Sequence, residues 1–434
     1  MKYIFNPKSI ALIGATDRIG SVGKGLGINL LQGKRNIFFV NPNRKIVLGQ
    51  KTYPQIRDIK QDIDLAVIAV PAKIVLKIIK ECAKKKVKAV VVISSGFAET
   101  GAKGAVMQKQ IQAFTKFSNM ALIGPNCLGI LRPLTGLNAS FAPLTPRAGG
   151  MALISQSGAL LNSIIDASFN KSYGFSAIIS YGNEAGLKLT DFLKWADNDS
   201  ETKVISLYIE GLQNGREFFE IAKNIKKPIV VLKGGKTKTS QKAVSSHTGA
   251  LAGAAKIYSA AFKQAGIFEV ESIEQFLDIS KALAWQPKCE DGIGIVSNGG
   301  GVAILTADYC DQYNIHLPDL KFAMPKKWSQ NNPLDIIGDA SSEDYKLAIN
   351  SILKQKNIHG LIILQTVQIM TDSLKNAKII IEAKKKFKNK SIVTAFLGEK
   401  NTRKAVEFLE KNKIPNYSDP LRAVKAMKAL IKKK

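Results

Sequence analysis

The sequence predicts an α/β protein of parallel, doubly wound sheets, and three observations carry that prediction. Short apolar runs at residues 10–14, 37–40, 65–70, 90–93 and 121–123 alternate with helical segments such as 74–83, the pattern of βαβ units. The alternation restarts twice, first at 151–155, 177–180, 204–209 and 228–232, then at 292–297, 361–364 and 392–396. Each restart follows a break. Pro143, Pro146, Gly149 and Gly150 mark residues 137–150 as a linker, and Pro287-Lys288-Cys289-Glu290-Asp291 is a second polar interruption. At 434 residues the chain is too long for one core. The expected domains are residues 1–136, 137–286 and 287–434.

Composition narrows the class. With 45% hydrophobic and 22% charged residues, the chain reads as folded and not disordered. An excess of 29 positive charges favours anionic partners: nucleic acid, a membrane surface or a polyphosphorylated small molecule. The lysine clusters at 84–86, 226–227 and 384–386 fall on helix surfaces or in loops with no nucleic-acid module beside them, so they read as solvated surface. Cys82, Cys127, Cys289 and Cys310 lack metal-ligand or paired spacing, which predicts reduced thiols, no metal site and a cytoplasmic setting. The opening residues do not resemble a signal peptide, and no apolar run approaches the roughly 20 residues that span a bilayer. The closing segment, 421–434, reads as an amphipathic surface helix with a lysine tail.

In the first third, the strand at 10–14 opens into Ala15-Thr16-Asp17-Arg18-Ile19-Gly20 before a helix from about Lys24. Ligands bind such sheets at the carboxyl ends of the strands. Those ends are Gly14-Ala15-Thr16, Asn41-Pro42-Asn43, Val70-Pro71-Ala72, Ser94-Ser95-Gly96 and Gly124-Pro125-Asn126-Cys127. The turn 14–20 lacks the closely spaced glycine pair of the dinucleotide fingerprint, and no acidic residue follows the second strand to hold a ribose diol. Arg44 and Lys45 suit a phosphorylated ribose instead, as in NADP or coenzyme A. A purely structural strand-to-helix turn is the other reading of these glycines.

In the middle third, the strand at 151–155 runs into Gln156-Ser157-Gly158-Ala159 and a helix. Small residues at a helix start leave N–H groups pointing outward, an anion site reinforced by the helix dipole; an ordinary serine N-cap has the same sequence. The strand at 204–209 ends in Glu210, 37 residues before His247, and both residues follow strands of one sheet, so they can meet at its edge. A carboxylate there can orient an imidazole, or simply be a solvated acid. His247 is one of three histidines and stands in Ser245-Ser246-His247-Thr248-Gly249-Ala250-Leu251-Ala252-Gly253, where small residues permit close approach to a ligand. Imidazole suits attack on a phosphoryl group near neutral pH. His316, in a loop, and His359, before a buried strand, read as structural. In the last third, the strand at 292–297 enters Asn298-Gly299-Gly300-Gly301 and a helix, completing a small flavodoxin-like layer with the later strands.

Ile13-Gly14-Ala15-Thr16, Val40-Asn41-Pro42, Ala69-Val70-Pro71-Ala72, Gly96-Phe97-Ala98-Glu99, Gly124-Pro125-Asn126-Cys127-Leu128-Gly129-Ile130, Ser155-Gln156-Ser157-Gly158-Ala159-Leu160, Tyr181-Gly182-Asn183-Glu184-Ala185 and the histidine segment extend over nearly the whole chain. Together they resemble the alpha subunit of the ADP-forming acyl-CoA (acetyl-CoA) synthetases, relatives of the succinyl-CoA synthetase alpha subunit. The resemblance implies a Rossmann-like CoA-binding domain followed by two flavodoxin-like α/β domains. It implies an acid–CoA ligase that interconverts acyl-CoA, ADP and phosphate with acid, CoA and ATP through a phosphohistidine. His247 resembles the phosphoryl carrier, Glu210 the carboxylate that steadies it, and Ser157, Gly158 and Ala159 the helix start that holds phosphate.

Gly14, Ala15, Thr16, Gly20, Asn41, Pro42, Val70, Pro71, Ser94, Asn126 and Cys127 fall in segments that line the family's CoA site. Related sequences often carry lysine where Asn43 stands, so Arg44 or Lys45 is expected to supply the cation toward the CoA phosphates. The segment from Tyr181 to Gly186 departs from the usual aspartate-rich continuation, which bears on substrate fit. The sequence contains no Gly-x4-Gly-Lys-Ser/Thr loop. The resemblance therefore implies that ADP/ATP and Mg are held by an ATP-grasp beta subunit, in an α2β2 heterotetramer that is active only when assembled. Two rival readings stay open on the residues alone: an NADP-dependent oxidoreductase, and a CoA-sensing regulatory subunit without turnover.

Overall fold

Aliphatic runs form the strands, and period-two alternation sends their side chains to two different cores. In the computed structural model, which describes residues 1–169, 172–237, 239–240 and 255–432, the chain divides into the units Met1–Glu271 and Ser272–Lys434. The first unit begins with β1 (Ser9–Ile13), β2 (Asn36–Val40), β3 (Ile46–Val47), β4 (Gln50–Tyr53), β5 (Leu65–Ile68), β6 (Ala89–Val92) and β7 (Ala121–Ile123). Their sheet has the order β3-β4-β2-β1-β5-β6-β7 and is parallel except for the β3–β4 hairpin. Ile10, Leu12, Leu65 and Val67 face one core, while Ala11, Ile13, Ala66 and Ile68 face the other. Burial on both faces explains why these strands read as unbroken apolar runs.

The second sheet of this unit contains β8 (Gly129–Arg132), β9 (Leu137–Ser140), β10 (Ala148–Ser155), β11 (Phe175–Ser180), β12 (Val204–Ile209), β13 (Ile229–Lys233) and β14 (Phe268–Val270). Its order is β14-β13-β12-β10-β11-β8-β9, with β8 antiparallel to β11 and β9 antiparallel to β8. Residues 137–150 are therefore not a free linker. Leu137 and Ala139 are buried in the core that the two sheets share, and β10 has already begun at Ala148; the prolines mark only the short turn 141–147. Phe5 stacks on Trp195 with ring centroids 3.7 Å apart, another contact across that shared core.

The second unit opens with the helix Ile273–Trp285 and carries a parallel sheet of β15 (Ile293–Ser297), β16 (Leu334–Asp335), β17 (Gly360–Gln365) and β18 (Ser391–Phe396), ordered β16-β15-β17-β18. The helix is held by long-range polar contacts. Buried Lys281 donates to Glu410 at 2.7 Å and to the Asn416 carbonyl at 2.8 Å, and Arg422 grips the Asp278 carboxylate with two nitrogens at 2.6 and 2.9 Å. The α/β class and its parallel sheets are as the sequence predicts. No helix among the described residues is long and apolar enough to cross a membrane.

Candidate functional site

The strand ends of the first sheet and a helix start of the second enclose a cavity of about 650 Å³ within the unit Met1–Glu271. On the first side, Gly14 adopts φ +96, and a Cβ there would run into the Ala69 carbonyl oxygen; glycine lets the ends of β1 and β5 close together. Ser94 ties β6 to β5, its hydroxyl donating to the Val70 carbonyl at 2.5 Å and accepting from the Val70 N–H at 3.1 Å. The Ser94 carbonyl in turn accepts from the Asn126 N–H at 2.9 Å. Buried Cys127 points its thiol at the Val92 carbonyl, 3.3 Å away, and burial pushes its pKa up to about 12. It is a packing thiol, not a nucleophile.

Asn126 is fixed from behind by a polar relay. Its side-chain amide donates to Asn183 Oδ1 at 3.3 Å, and Asn183 Nδ2 donates to Glu99 Oε2 at 2.6 Å and Gln108 Oε1 at 2.9 Å. Glu99 Oε1 accepts from the N–H groups of Gly96 and Phe97 at 2.6 and 3.1 Å. Burial works to raise the Glu99 pKa, but the Asn183 and backbone hydrogen bonds outweigh it and hold the carboxyl below its ordinary value. The Gly96-Phe97-Ala98-Glu99 and Tyr181-Gly182-Asn183-Glu184 segments thus meet through one carboxylate.

On the second side, β10 ends at Ser155, whose hydroxyl accepts from the Ser157 N–H at 3.0 Å. The Ser157 hydroxyl accepts from the Leu160 N–H at 3.2 Å, the geometry of an N-cap, and the helix Gly158–Phe169 follows. Gly158 and Ala159 line the cavity, and first-turn N–H groups have no partner within their own helix. The ordinary cap and the anion site are therefore compatible: the serine caps, and the next residues face the cavity. Gln156 reaches sideways. Its Oε1 accepts from the N–H groups of Glu210 at 2.5 Å and Gly211 at 3.1 Å, while its Nε2 donates to the Gly211 carbonyl at 3.1 Å. Glu210, 7% exposed just beyond β12, is also hydrogen-bonded by the Tyr208 hydroxyl. Burial, then the Glu210 charge and that hydrogen bond, push the Tyr208 pKa up to about 12.

Of the residues singled out in the sequence, the cavity brings together Val70, Pro71, Ser94, Asn126, Cys127, Ser157, Gly158 and Ala159. Gly14, Ala15, Thr16, Gly20, Asn41, Pro42, Arg44 and Lys45 lie near the ends of β1 and β2, outside its lining. There Asn41 donates to the Ala15 carbonyl at 2.7 Å, and Arg44 sits 3.6 Å from Asp17 with both side chains about half exposed. Glu210 is outside the lining but clamped to Gln156, which is part of it. His247 and the rest of Ser245 to Gly253 lie outside the described residues. Sequence reasoning missed Val22, Phe141 and Asn162, which complete the lining. Asn162 stands four residues beyond Gly158, one helical turn on along the same face, and its buried Oδ1 has no hydrogen-bond partner among the described residues. That spacing was the available signal.

Three family descriptions match successive stretches of the chain. A CoA binding domain matches residues 8–133, a succinyl-CoA ligase like flavodoxin domain residues 148–283 and a ligase-CoA domain residues 293–430. The chain is 43% identical to the ADP-forming acetate–CoA ligase of Methanocaldococcus jannaschii, across 100% of this chain but 63% of that protein. It also spans 63% of the length of an Archaeoglobus fulgidus ADP-forming acetate–CoA ligase, at 36% identity over 99% of this chain. It is similar in structure to the dinucleotide forming acetyl-coenzyme A synthetase 1 of Ca. Korarchaeum cryptofilum in complex with phosphate and ADP, with a TM-score of 0.93 and 35% identity over 99% of this chain and 96% of that one. Against the alpha subunit of the Pyrococcus furiosus ADP-forming acetate–CoA ligase I, identity is 37% over 100% of this chain and 97% of the subunit. Matched along its whole length to that subunit, the chain belongs to the ADP-forming acetate–CoA ligase family and corresponds to its alpha portion.

Proposed function

We propose that this chain is the alpha subunit of an NDP-forming acid–CoA ligase that relays a phosphoryl group through His247. The observation that carries the reading is the cavity itself, where Val70, Ser94, Asn126 and Cys127 of one sheet face the helix start at Ser157-Gly158-Ala159 of the other. Coenzyme A and phosphate are the two groups that must meet for the reaction. Residues 1–136 hold CoA, with Arg44 and Lys45 toward its phosphates and the cavity taking its thiol end. Residues 137–286 carry the relay, and residues 287–434 form the third domain.

In the acid-releasing direction, phosphate held at the Gly158 and Ala159 N–H groups attacks the thioester carbonyl. The C–S bond breaks, giving an acyl phosphate and CoA thiolate, which takes a proton. Neutral His247 then attacks the phosphorus, releasing the carboxylate and leaving phosphohistidine, which ADP attacks to give ATP and free imidazole. Glu210 accepts a hydrogen bond from the other ring nitrogen and fixes the reacting face. The helix dipole stabilises the bound anion by about 0.3–1 kcal/mol when exposed and more when buried. Nucleotide, with Mg, is bound by an ATP-grasp beta subunit in a cytoplasmic α2β2 assembly.

The test is reconstitution with the beta subunit, acyl-CoA and labelled phosphate. An acid-labile, base-stable label on this chain is expected; His247→Ala should abolish label and turnover, while CoA binding by calorimetry stays near wild type. Turnover by His247→Ala at a comparable rate would overturn the mechanism. Calorimetry that finds NADP binding in place of CoA would overturn the assignment of the first domain.

A further inference from the structure

Lys233 ends β13, 14 residues before His247, and is buried with 5% exposure. Its ammonium donates to the Glu210 carbonyl at 2.7 Å and to the carbonyl of Gly234, and lies 4.6 Å from the centre of the Tyr258 ring. A buried ammonium is costly to desolvate unless its hydrogen bonds are met, and two carbonyls meet them here. The neighbours show what its charge holds. Gln156 takes the N–H of Glu210 and both polar backbone groups of Gly211, and Lys233 takes the Glu210 carbonyl. The Tyr258 hydroxyl accepts from the Leu212 N–H at 3.3 Å. Side chains from three separate elements thus immobilise the backbone of residues 210–212, and Lys233 ties Glu210 to Gly234 beyond the end of β13.

We propose that Lys233 is a positioning residue of the phosphoryl relay, its ammonium locking the Glu210 main chain to the Gly234 peptide just beyond β13. This rests on the phosphohistidine reading. Among the described residues, the charged and titratable groups that face it are Glu210 from the end of β12, Lys236 just beyond β13, Glu269 from β14 and Tyr258 from the helix Ala255–Gln264. Burial draws the Lys233 pKa down to about 8, with Lys236 adding to the shift and Glu210 and Glu269 opposing it. The tie should therefore weaken as the pH rises through that value.

The experiment uses the full chain with its beta partner and compares wild type, Lys233→Met and Lys233→Arg. Lys233→Met, which leaves two carbonyls without their donor, should melt lower than wild type but bind CoA within about two-fold, and should lose about 10- to 100-fold in kcat and in the rate of histidine labelling, with KM for acyl-CoA little changed. Wild-type kcat should fall above about pH 8, and Lys233→Arg, whose guanidinium stays charged, should lack that alkaline limb. Labelling of Lys233→Met at the wild-type rate, or an alkaline limb in Lys233→Arg that coincides with the wild-type one, overturns the inference. If Lys233→Met fails to fold, the pH profiles of the other two proteins decide. If wild type takes no base-stable label at all, the phosphohistidine reading falls and takes this one with it; if wild type labels and Lys233→Met labels as fast, this one alone falls.

Discussion

Gln156→Leu is the sharpest probe of the site's architecture, because one side chain satisfies three backbone groups and leucine matches its bulk. The substitution removes acceptors for the Glu210 and Gly211 N–H groups and a donor to the Gly211 carbonyl. At about 0.5–1.5 kcal/mol net for each neutral hydrogen bond, the loss is about 1.5–4.5 kcal/mol, toward the upper end if water cannot reach the freed groups. Little cavity cost adds to this, since no void is created. The effect should be local. Hydrogen exchange read by mass spectrometry on peptides covering residues 204–212 should accelerate by roughly 10- to 10³-fold, while peptides from β1 and β5 stay as protected as in wild type. Gln156→Glu keeps acceptors for both N–H groups but cannot donate to Gly211, and it sets a second negative charge beside Glu210. It should restore part of the protection and still slow phosphorylation. Wild-type exchange at 204–212 in Gln156→Leu would refute the claim that Gln156 holds this backbone.

Three further outcomes are expected. Gly182 has φ +59 and faces the carbonyl oxygens of Pro125 and Asn126, so Gly182→Ala should cost on the order of 1–3 kcal/mol and weaken CoA binding through Asn126; Gly215→Ala, which meets nothing, is the neutral control in the same melting and calorimetry runs. Because the folded Glu99 pKa is depressed, its stabilisation is present above the ordinary carboxyl value near 4.3 and is lost as the pH falls through the folded value; the melting difference between wild type and Glu99→Gln should be largest at neutral pH and shrink below about pH 4. All four cysteines are buried, so at pH 8 a thiol reagent should modify the native chain only as fast as it opens, and all four thiols at once after denaturation.

What was legible in the sequence follows from where the information sits. Strands such as β5 and β6 are buried on both faces, and four consecutive aliphatic residues announce them. The helix start at Ser157-Gly158 is equally local, since capping and small side chains are matters of neighbouring residues. β8 escaped notice because Gly129–Arg132 is short and lies inside a loop motif; its pairings with β9 and with β11, Ile130 opposite Ile179, make it a strand. The assignment of the helix Ile273–Trp285 to the second unit was likewise hidden, for it depends on Lys281 finding Glu410 far along the chain. In the site, Lys233 reads as the polar terminus of an apolar run. Its burial comes from Tyr258 and from the Glu210 carbonyl, contacts that no spacing rule anticipates. Asn162 differs in kind, because helical spacing from Gly158 would have pointed to it.

The β8–β9 hairpin also limits how this chain can be rearranged. It follows directly on the last strand of the first sheet yet is hydrogen-bonded into the second. A fragment ending at residue 133 would carry Gly129–Arg132 away from its ladder and strip β11 of a neighbour, exposing an edge ready to pair with another molecule. The two sheets therefore cannot be exchanged as separate modules at the boundary where their sequence families meet. A crossover near residue 271 severs no strand pairing among the described residues, so shuffling between relatives should be tolerated there and should yield aggregates when made between residues 133 and 148.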